Sequence, residues 1–91
     1  MVTTRFLIKG KVQGVFFRAN TKTKADELGI KGWVRNTPGG EVEVFAQGSE
    51  EQLAAFEEWC RKGPSRARVD SLTKEERNAD EFGSFQILRR D

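Results

Sequence analysis

Residues 31–47 read KGWVRNTPGGEVEVFAQ, two runs of strand-forming residues joined by a short turn. In the turn, Thr37-Pro38-Gly39-Gly40, the proline presets one backbone dihedral and the glycines accept positive φ. The flanking runs therefore predict two antiparallel strands, Lys31 to Asn36 and Glu41 to Gln47, joined by a hairpin.

The second strand of this hairpin alternates in polarity. Its apolar members share one parity and its polar members the other: Val42, Val44 and Ala46 against Glu41, Glu43 and Gln47. Such alternation is typical of a sheet with one face in the core and one in water. We therefore expect helices on one face of the sheet and solvent on the other.

Glycine and proline separate the hairpin from further elements on both sides. Upstream, alternation predicts a strand from Arg5 to Lys11, and apolar residues at helical spacing predict a helix over about residues 17 to 28, ending at Gly29. Downstream, Ser49 and Gln52 form a capping box for a second helix. The later boundaries are a helix end at Gly63-Pro64, a strand over Ala67 to Thr73, a charged connector over Lys74 to Asp80, and a short strand over Ser84 to Arg89.

The order of these elements defines the expected fold class. It is β-α-β-β-α-β with a short extra C-terminal strand, which is that of an α+β ferredoxin-like two-layer sandwich. In that fold two helices cover one face of a mostly antiparallel sheet, and the first strand crosses over to a parallel partner through the first helix. The chain has 91 residues, below the usual domain size of roughly 100 to 150, so we expect a single domain over residues 1–91.

The composition restricts the possible chemistry. A net charge of +2, from 16 basic and 14 acidic residues, is too small to indicate a polyanionic partner. The chain has no His and one Cys, Cys60, which excludes imidazole-dependent triads, His-bearing metal sites and an internal disulfide. Since the N-terminal apolar run is too short for a signal peptide or a membrane span, we expect a cytoplasmic protein.

The segment GKVQGVFFR, residues 10–18, is the strongest candidate for a binding site. Gly14 can take a conformation that turns successive N–H groups inward where the helix begins and its dipole is positive. Arg18 lies in the first helical turn, where a cation costs up to about 1 kcal/mol. A bound dianion would explain this position, and the alternative is an arginine that faces solvent. The candidate phosphate-binding N–H groups are those of Gln13, Gly14, Val15, Phe16, Phe17 and Arg18.

Several other residues have ordinary structural explanations. Asn36 precedes Thr-Pro-Gly and is common in turns, Cys60 lies on an apolar stripe and is expected in the core, and Trp33 is expected to pack. The acidic residues of the second helix and of the connector favour solvated surface over a metal site. They are Glu50, Glu51, Glu57, Glu58, Glu75, Glu76, Asp80 and Glu81.

Two stretches, residues 10–18 and GWVRNTPGGEVEV at residues 32–44, closely resemble the two signature stretches of the acylphosphatases. The similarity continues through Gly63-Pro64 and residues 67–70 to Phe85. The resemblance implies hydrolysis of acyl phosphates to a carboxylate and inorganic phosphate, with no metal, no cofactor and no covalent intermediate. It also implies an essential Arg and an essential Asn, which fall on Arg18 and Asn36.

The residues are compatible with that reaction. A carboxylate leaving group, with a conjugate-acid pKa of roughly 4 to 5, departs without a general acid, so the absence of His is no obstacle. Phosphoryl transfer requires positioning and charge stabilisation. Arg18 and the loop amides can stabilise charge, and Asn36 can orient a water although it is no strong base. The group that accepts the proton of the water is left open.

Two other functions remain as alternatives. RNA-recognition domains share the element order, but the sequence here lacks their aromatic-rich third strand. The corresponding residues 41–45 are EVEVF, whose carboxylates would repel the phosphate backbone of an RNA. A non-catalytic acylphosphatase-like module belongs to a larger protein, as in hydrogenase-maturation factors, whereas this chain ends at Asp91. We therefore expect a monomeric enzyme with an acyl phosphate substrate, inorganic phosphate as product ligand, and no nucleic-acid or membrane partner.

Overall fold

The computed structural model describes residues 1–89, which form five strands and two helices. The elements are β1 (Val2–Lys11), α1 (Phe17–Leu28), β2 (Lys31–Asn36), β3 (Val42–Gly48), α2 (Glu50–Lys62), β4 (Arg68–Arg77) and β5 (Phe85–Leu88). The predicted element order and the ferredoxin-like class are confirmed, and residues 90–91 of the predicted domain lie outside the described residues. Neither helix in the described part of the chain is long and apolar enough to cross a membrane.

The five strands form one sheet with the order β4-β1-β3-β2-β5. Because β3 is antiparallel to both β1 and β2, those two strands run in the same direction with β3 between them. The expectation that β1 pairs with a parallel strand is therefore wrong. β2 is parallel to β1, but β3 lies between them. A helix about 10 Å wide covers about two strand spacings, so the crossover through α1 skips one strand. Within residues 1–89 the parallel pairing is that of β2 with β5.

Both helices pack on one face of the sheet, and aromatic rings fill the layer between. Phe56 of α2 lies edge-on to Phe6, with 5.9 Å between ring centroids, and to Phe85, with 6.2 Å. Ser49 and Gln52 form the predicted capping box at the start of α2. Other fully buried side chains are Ile8, Val12, Phe17, Thr21, Ile30, Val34, Val42, Val44 and Cys60.

Cys60 is a core residue, as predicted. Its side chain is fully buried, and this burial, with a smaller effect of the nearby Glu57 carboxylate, raises the pKa of the thiol. A thiolate is therefore not formed near neutral pH, which removes Cys60 as a nucleophile.

β4 is longer than the sequence predicts. It continues to Arg77 instead of ending at Thr73, so the first half of the expected charged connector is strand. β1 also starts earlier, at Val2, and its pairing with β4 reaches Thr3 opposite Arg77. β4 is an edge strand, and charged side chains are typical of edges because they discourage pairing with another chain.

On the face of the sheet away from the helices, the side chains of β3 are less exposed to solvent than the alternation of the strand predicts. Glu43 and Gln47 are 7% and 3% exposed. Arg5 and Arg35, from the strands on either side, each donate to a different oxygen of Glu43, Arg35 at 2.7 Å. Burial alone would raise the pKa of Glu43, but hydrogen bonds from the two guanidinium groups outweigh it, and the pKa is lowered. Because β3 is central, long side chains from both neighbours reach over it.

Trp33 and Gln47 also have packing roles on this face. The Trp33 ring stacks on Phe45 with 4.6 Å between centroids, so the prediction that Trp33 packs is confirmed. The Gln47 amide donates to Thr3 Oγ1 at 2.9 Å and to the carbonyl of Asp80, and its Oε1 accepts from the N–H of Phe82. Gln47 therefore holds the segment between β4 and β5 against the sheet.

Candidate active site

Three strands end at the same edge of the sheet. β1, β2 and β5 run in the same direction, so the segments that follow them meet there. A cavity of about 300 Å³ opens at this edge. It is lined by Val12, Gly14, Phe16, Phe17, Arg18, Ala19, Asn36, Ile87 and Arg89. The fold therefore brings together Arg18 and Asn36, the two residues that the sequence analysis singled out.

The loop between β1 and α1 contains two residues in the left-handed backbone conformation. Gly14 has φ 76°, and Phe16, the N-cap of α1, has φ 62° with no side-chain cap. Within residues 1–89, none of the N–H groups of Gln13 to Arg18 donates to an acceptor of the protein. Donors without partners at the positive end of a helix dipole favour a bound anion.

Buried side chains hold this loop in place. Val15 is buried, and Phe17 packs edge-on against Trp59 with 5.8 Å between ring centroids. The carbonyl of Phe16 accepts two hydrogen bonds from Asn20, from the backbone N–H at 3.1 Å and from Nδ2 at 2.9 Å. The left-handed conformation at Phe16 is thus maintained by contacts on both sides.

The Gln13 side chain joins this loop to the turn after β2. Its Nε2 donates to the carbonyl of Thr37 at 2.9 Å and to the carbonyl of Glu41 at 2.8 Å. The same two residues close the turn, since the N–H of Thr37 donates to the carbonyl of Glu41 at 2.9 Å. The sequence predicts a role for the backbone N–H of Gln13 but not for its side chain, because the partners of the side chain lie 24 and 28 residues away.

Asn36, the last residue of β2, has an amide oxygen without a partner. Oδ1 is buried and accepts no hydrogen bond within residues 1–89. An unsatisfied buried acceptor costs about 1–3 kcal/mol, so its presence calls for an explanation. A water in the cavity is a suitable donor, and Asn36 would then fix the position of that water.

Arg18 forms no ion pair within residues 1–89, unlike most arginines of the sheet and of α2. Its side chain is half-buried, and no carboxylate of residues 1–89 lies within ion-pair distance of it. The arginines that do pair with carboxylates are Arg5, Arg35, Arg61, Arg68 and Arg77. Arg18 and Arg89 give the cavity two positive charges, and no acidic residue of the described part of the chain lines it. The site therefore attracts anions.

A larger cavity, of about 510 Å³, lies at the opposite end of β1. It is lined by residues 1–3, Gln47, residues 76–79 and Glu81. Its acidic and basic side chains are mixed, and it contains none of the candidate residues. Size alone therefore does not mark the site, and the smaller cavity is the one lined by Arg18, Asn36 and residues of the 10–18 loop.

The fold and the site together define an α+β protein of the ferredoxin-like class, and the loop before its first helix has N–H groups without an acceptor within residues 1–89. The family model described as Acylphosphatase matches residues 4–87. An acylphosphatase from Marinobacter nauticus is 53% identical over 81 residues, which is 88% of each chain. The crystal structure of acylphosphatase from Bacillus subtilis has a TM-score of 0.93 at 34% identity and covers 97% of this chain and 99% of that one. The chain belongs to the acylphosphatase family, and it is a hydrolase that acts on acid anhydrides.

The same fold also occurs inside a much larger protein. The crystal structure of full-length HypF matches all of this chain with a TM-score of 0.84 and 26% identity, but this corresponds to 12% of the HypF chain. The fold by itself is therefore shared by proteins of about this length and by a part of a much larger one.

Proposed function

We propose that the cavity between the 10–18 loop and the end of β2 is an acylphosphatase active site that hydrolyses acyl phosphates to a carboxylate and inorganic phosphate. The observation that carries this proposal is the juxtaposition of two features in one cavity. Arg18 lines the cavity with residues of the 10–18 loop, and the N–H groups of residues 13–18 have no acceptor within residues 1–89. Asn36, whose buried Oδ1 has no partner within residues 1–89, belongs to the same lining.

The loop holds the phosphate group of the substrate. Arg18 makes two parallel hydrogen bonds to phosphate oxygens, and the N–H groups of residues 13–18 donate to the remaining ones. Phosphoryl transfer spreads charge over three equatorial oxygens, so these donors stabilise the transition state more strongly than the substrate. The dipole of α1 acts in the same direction.

Asn36 orients the attacking water. The water donates a hydrogen bond to Oδ1, which directs its lone pair at phosphorus from the side opposite the acyl oxygen. The new O–P bond forms as the bond between phosphorus and the acyl oxygen breaks, and the carboxylate leaves with the electron pair. The proton of the water passes to a phosphate oxygen, so the products are a carboxylate and protonated inorganic phosphate.

The lining of the cavity supports direct attack by water. Among residues 1–89 it contains no Ser, Cys, Thr or carboxylate side chain, and Cys60 lies in the core. A covalent intermediate therefore has no side-chain nucleophile to form on. A carboxylate leaving group also removes the need for a general acid.

We further propose that residues 1–91 act as one monomeric domain in the cytoplasm, with inorganic phosphate as the product ligand and no nucleic-acid partner. Within residues 1–89 the exposed large apolar side chains are Met1 and Phe16, too few for a stable subunit interface. The buried single thiol of Cys60 suits a reducing compartment.

The test is the hydrolysis of acetyl phosphate and benzoyl phosphate, with a chelator present, by the wild type, Arg18→Gln and Asn36→Ala. We expect turnover by the wild type and a loss of about 10²- to 10³-fold in each variant, because each removes a transition-state contact. Arg77→Gln is the matched control, since it removes the same charge at the far end of β1.

Each outcome of this assay decides one part of the proposal. Wild-type rates in Arg18→Gln or Asn36→Ala would overturn the assignment of the site. No turnover by the wild type would overturn the enzymatic function and favour a non-catalytic module. A loss in Arg77→Gln equal to that in Arg18→Gln would reduce the effect of Arg18 to general electrostatics.

A further inference from the structure

Two adjacent phenylalanines at the start of α1 have opposite environments. Phe17 is 1% exposed and belongs to the core, whereas Phe16 is 68% exposed. Phe16 also lines the cavity of the proposed active site. Within residues 1–89, Met1 at the chain terminus is the other large apolar side chain with comparable exposure. The exposed ring of Phe16 is therefore placed at the site and is not part of the hydrophobic core.

The backbone of Phe16 is in an unfavourable conformation for an aromatic residue. Its φ of 62° lies in the left-handed region, which costs an L-residue roughly 1–2 kcal/mol. Glycine takes this conformation without that cost, as Gly14 does in the same loop at φ 76°. The conformation alone thus favours glycine at this position, and the aromatic side chain calls for a separate explanation.

The lining of the cavity divides into a polar and an apolar part. Arg18 and the loop amides supply the polar part, and Phe16, Val12, Ala19 and Ile87 supply the apolar part. An acyl phosphate divides in the same way, into a phosphate group and an acyl group. With the phosphate on the loop amides, the acyl group extends over the apolar part.

We infer that the Phe16 side chain, together with Ile87, binds the acyl group and makes this enzyme prefer acyl phosphates with aromatic or bulky apolar acyl groups. The inference rests on the proposed function, because it needs the phosphate bound by the loop. A flat acyl group covers the Phe16 ring and removes its exposed apolar surface from water, which a methyl group cannot do. Phe16 is thus a specificity residue through its side chain and a phosphate ligand through its N–H.

The experiment compares kcat/KM for benzoyl phosphate and for acetyl phosphate in the wild type, Phe16→Gly and Phe16→Leu. Glycine removes the ring and still accepts positive φ, so the loop conformation is preserved. We expect the ratio of benzoyl to acetyl phosphate to fall about tenfold in Phe16→Gly and about threefold in Phe16→Leu, because the stacked contact is lost or reduced. Thr23→Ala, on the exposed side of α1, is the control and keeps the wild-type ratio.

The outcomes separate this inference from the proposed function. A ratio in Phe16→Gly that stays within about twofold of the wild type, including an equal loss on both substrates, overturns the role of the side chain and leaves the proposed function standing. A wild type that hydrolyses neither substrate overturns the proposed function and the inference with it. The inhibition constant of inorganic phosphate, which has no acyl group, must change less in Phe16→Gly than kcat/KM for benzoyl phosphate; an equal change also overturns the inference.

Discussion

Asn36 retains an unpaired polar atom that the fold does not need. Replacing it with Leu, which is similar in size and has no polar atom, removes the cost of the buried Oδ1. We expect Asn36→Leu to raise the free energy of unfolding by about 1 kcal/mol while it abolishes hydrolysis of acetyl phosphate. Urea denaturation and the hydrolysis assay measure the two effects on the same preparation. A variant that is both inactive and less stable than the wild type would contradict this account.

The side chain of Gln13, unlike its backbone N–H, is expected to affect the rate and not the binding of phosphate. Gln13→Met keeps the length of the side chain but donates nothing to the carbonyls of Thr37 and Glu41, so the turn that follows Asn36 loses its tie to the loop. We expect kcat for acetyl phosphate to fall about 10- to 100-fold, because the water loses its alignment. The inhibition constant of inorganic phosphate, which reports the loop alone, should change less than about twofold.

Gln86→Met is the control for this prediction. Gln86 is exposed on β5, and its amide contacts only Ser84 within residues 1–89. The control should keep wild-type kcat. If Gln13→Met weakens phosphate inhibition as much as it lowers kcat, the Gln13 side chain stabilises the 10–18 loop itself and does not act by linking the loop to the turn after β2.

At the level of elements, the pairing of β2 with β3 depends on a close backbone approach. Gly32 has φ 139°, and a Cβ at this position would lie 1.9 Å from the carbonyl oxygen of Phe45. We therefore expect Gly32→Ala to lower the free energy of unfolding by about 2–4 kcal/mol, as measured by urea denaturation. Gly83→Ala is the matched control, because within residues 1–89 no heavy atom beyond its two chain neighbours lies within 4 Å of the added methyl group. Equal stability of the two variants would contradict this prediction.

The three central strands are also linked by charge. The pKa of Glu43 is lowered from its ordinary value of 4.5, so the carboxylate stabilises the fold above that pH and the stabilisation is lost as the pH falls through the folded-state pKa. We expect the wild type to lose more stability than Glu43→Gln between about pH 7 and about pH 3, measured by urea denaturation at each pH. Glu58→Gln, at an exposed position of α2, should follow the wild type. Parallel losses in Glu43→Gln and the wild type would contradict the linkage.

For the whole molecule, phosphate binding is expected to stabilise the native state against unfolding. Cys60 is fully buried, so a thiol reagent reaches it only when the core opens. Inorganic phosphate at about 100 times its dissociation constant should stabilise the native state by about 2.7 kcal/mol and slow the labelling of Cys60 about 100-fold, provided that labelling follows global opening. In Arg18→Gln the same phosphate concentration should have little effect. If the labelling rate of Cys60 in the wild type does not depend on the phosphate concentration, the native protein does not bind phosphate.

The elements predicted from the sequence match the structure where their boundaries depend on neighbouring residues. β2 spans Lys31–Asn36 and α1 spans Phe17–Leu28, as predicted, and the capping box starts α2. The error at the C-terminal half of β4 has a different cause. The residues 74–77 look like a solvated connector because they are charged, and their strand conformation comes from pairing with the extended β1.

The sequence by itself determined the turn, the capping box, the element order and the loop motif with Arg18, because each depends on residues a few positions apart. Only the tertiary structure decided that β3 lies between β1 and β2, that Glu43 is buried under two arginines, and that Gln13 ties the loop to the turn. It also placed Phe16 at the cavity and left the Asn36 oxygen without a partner among residues 1–89. These features arise from contacts between segments far apart in the chain, and no local pattern of residues records which segments will meet.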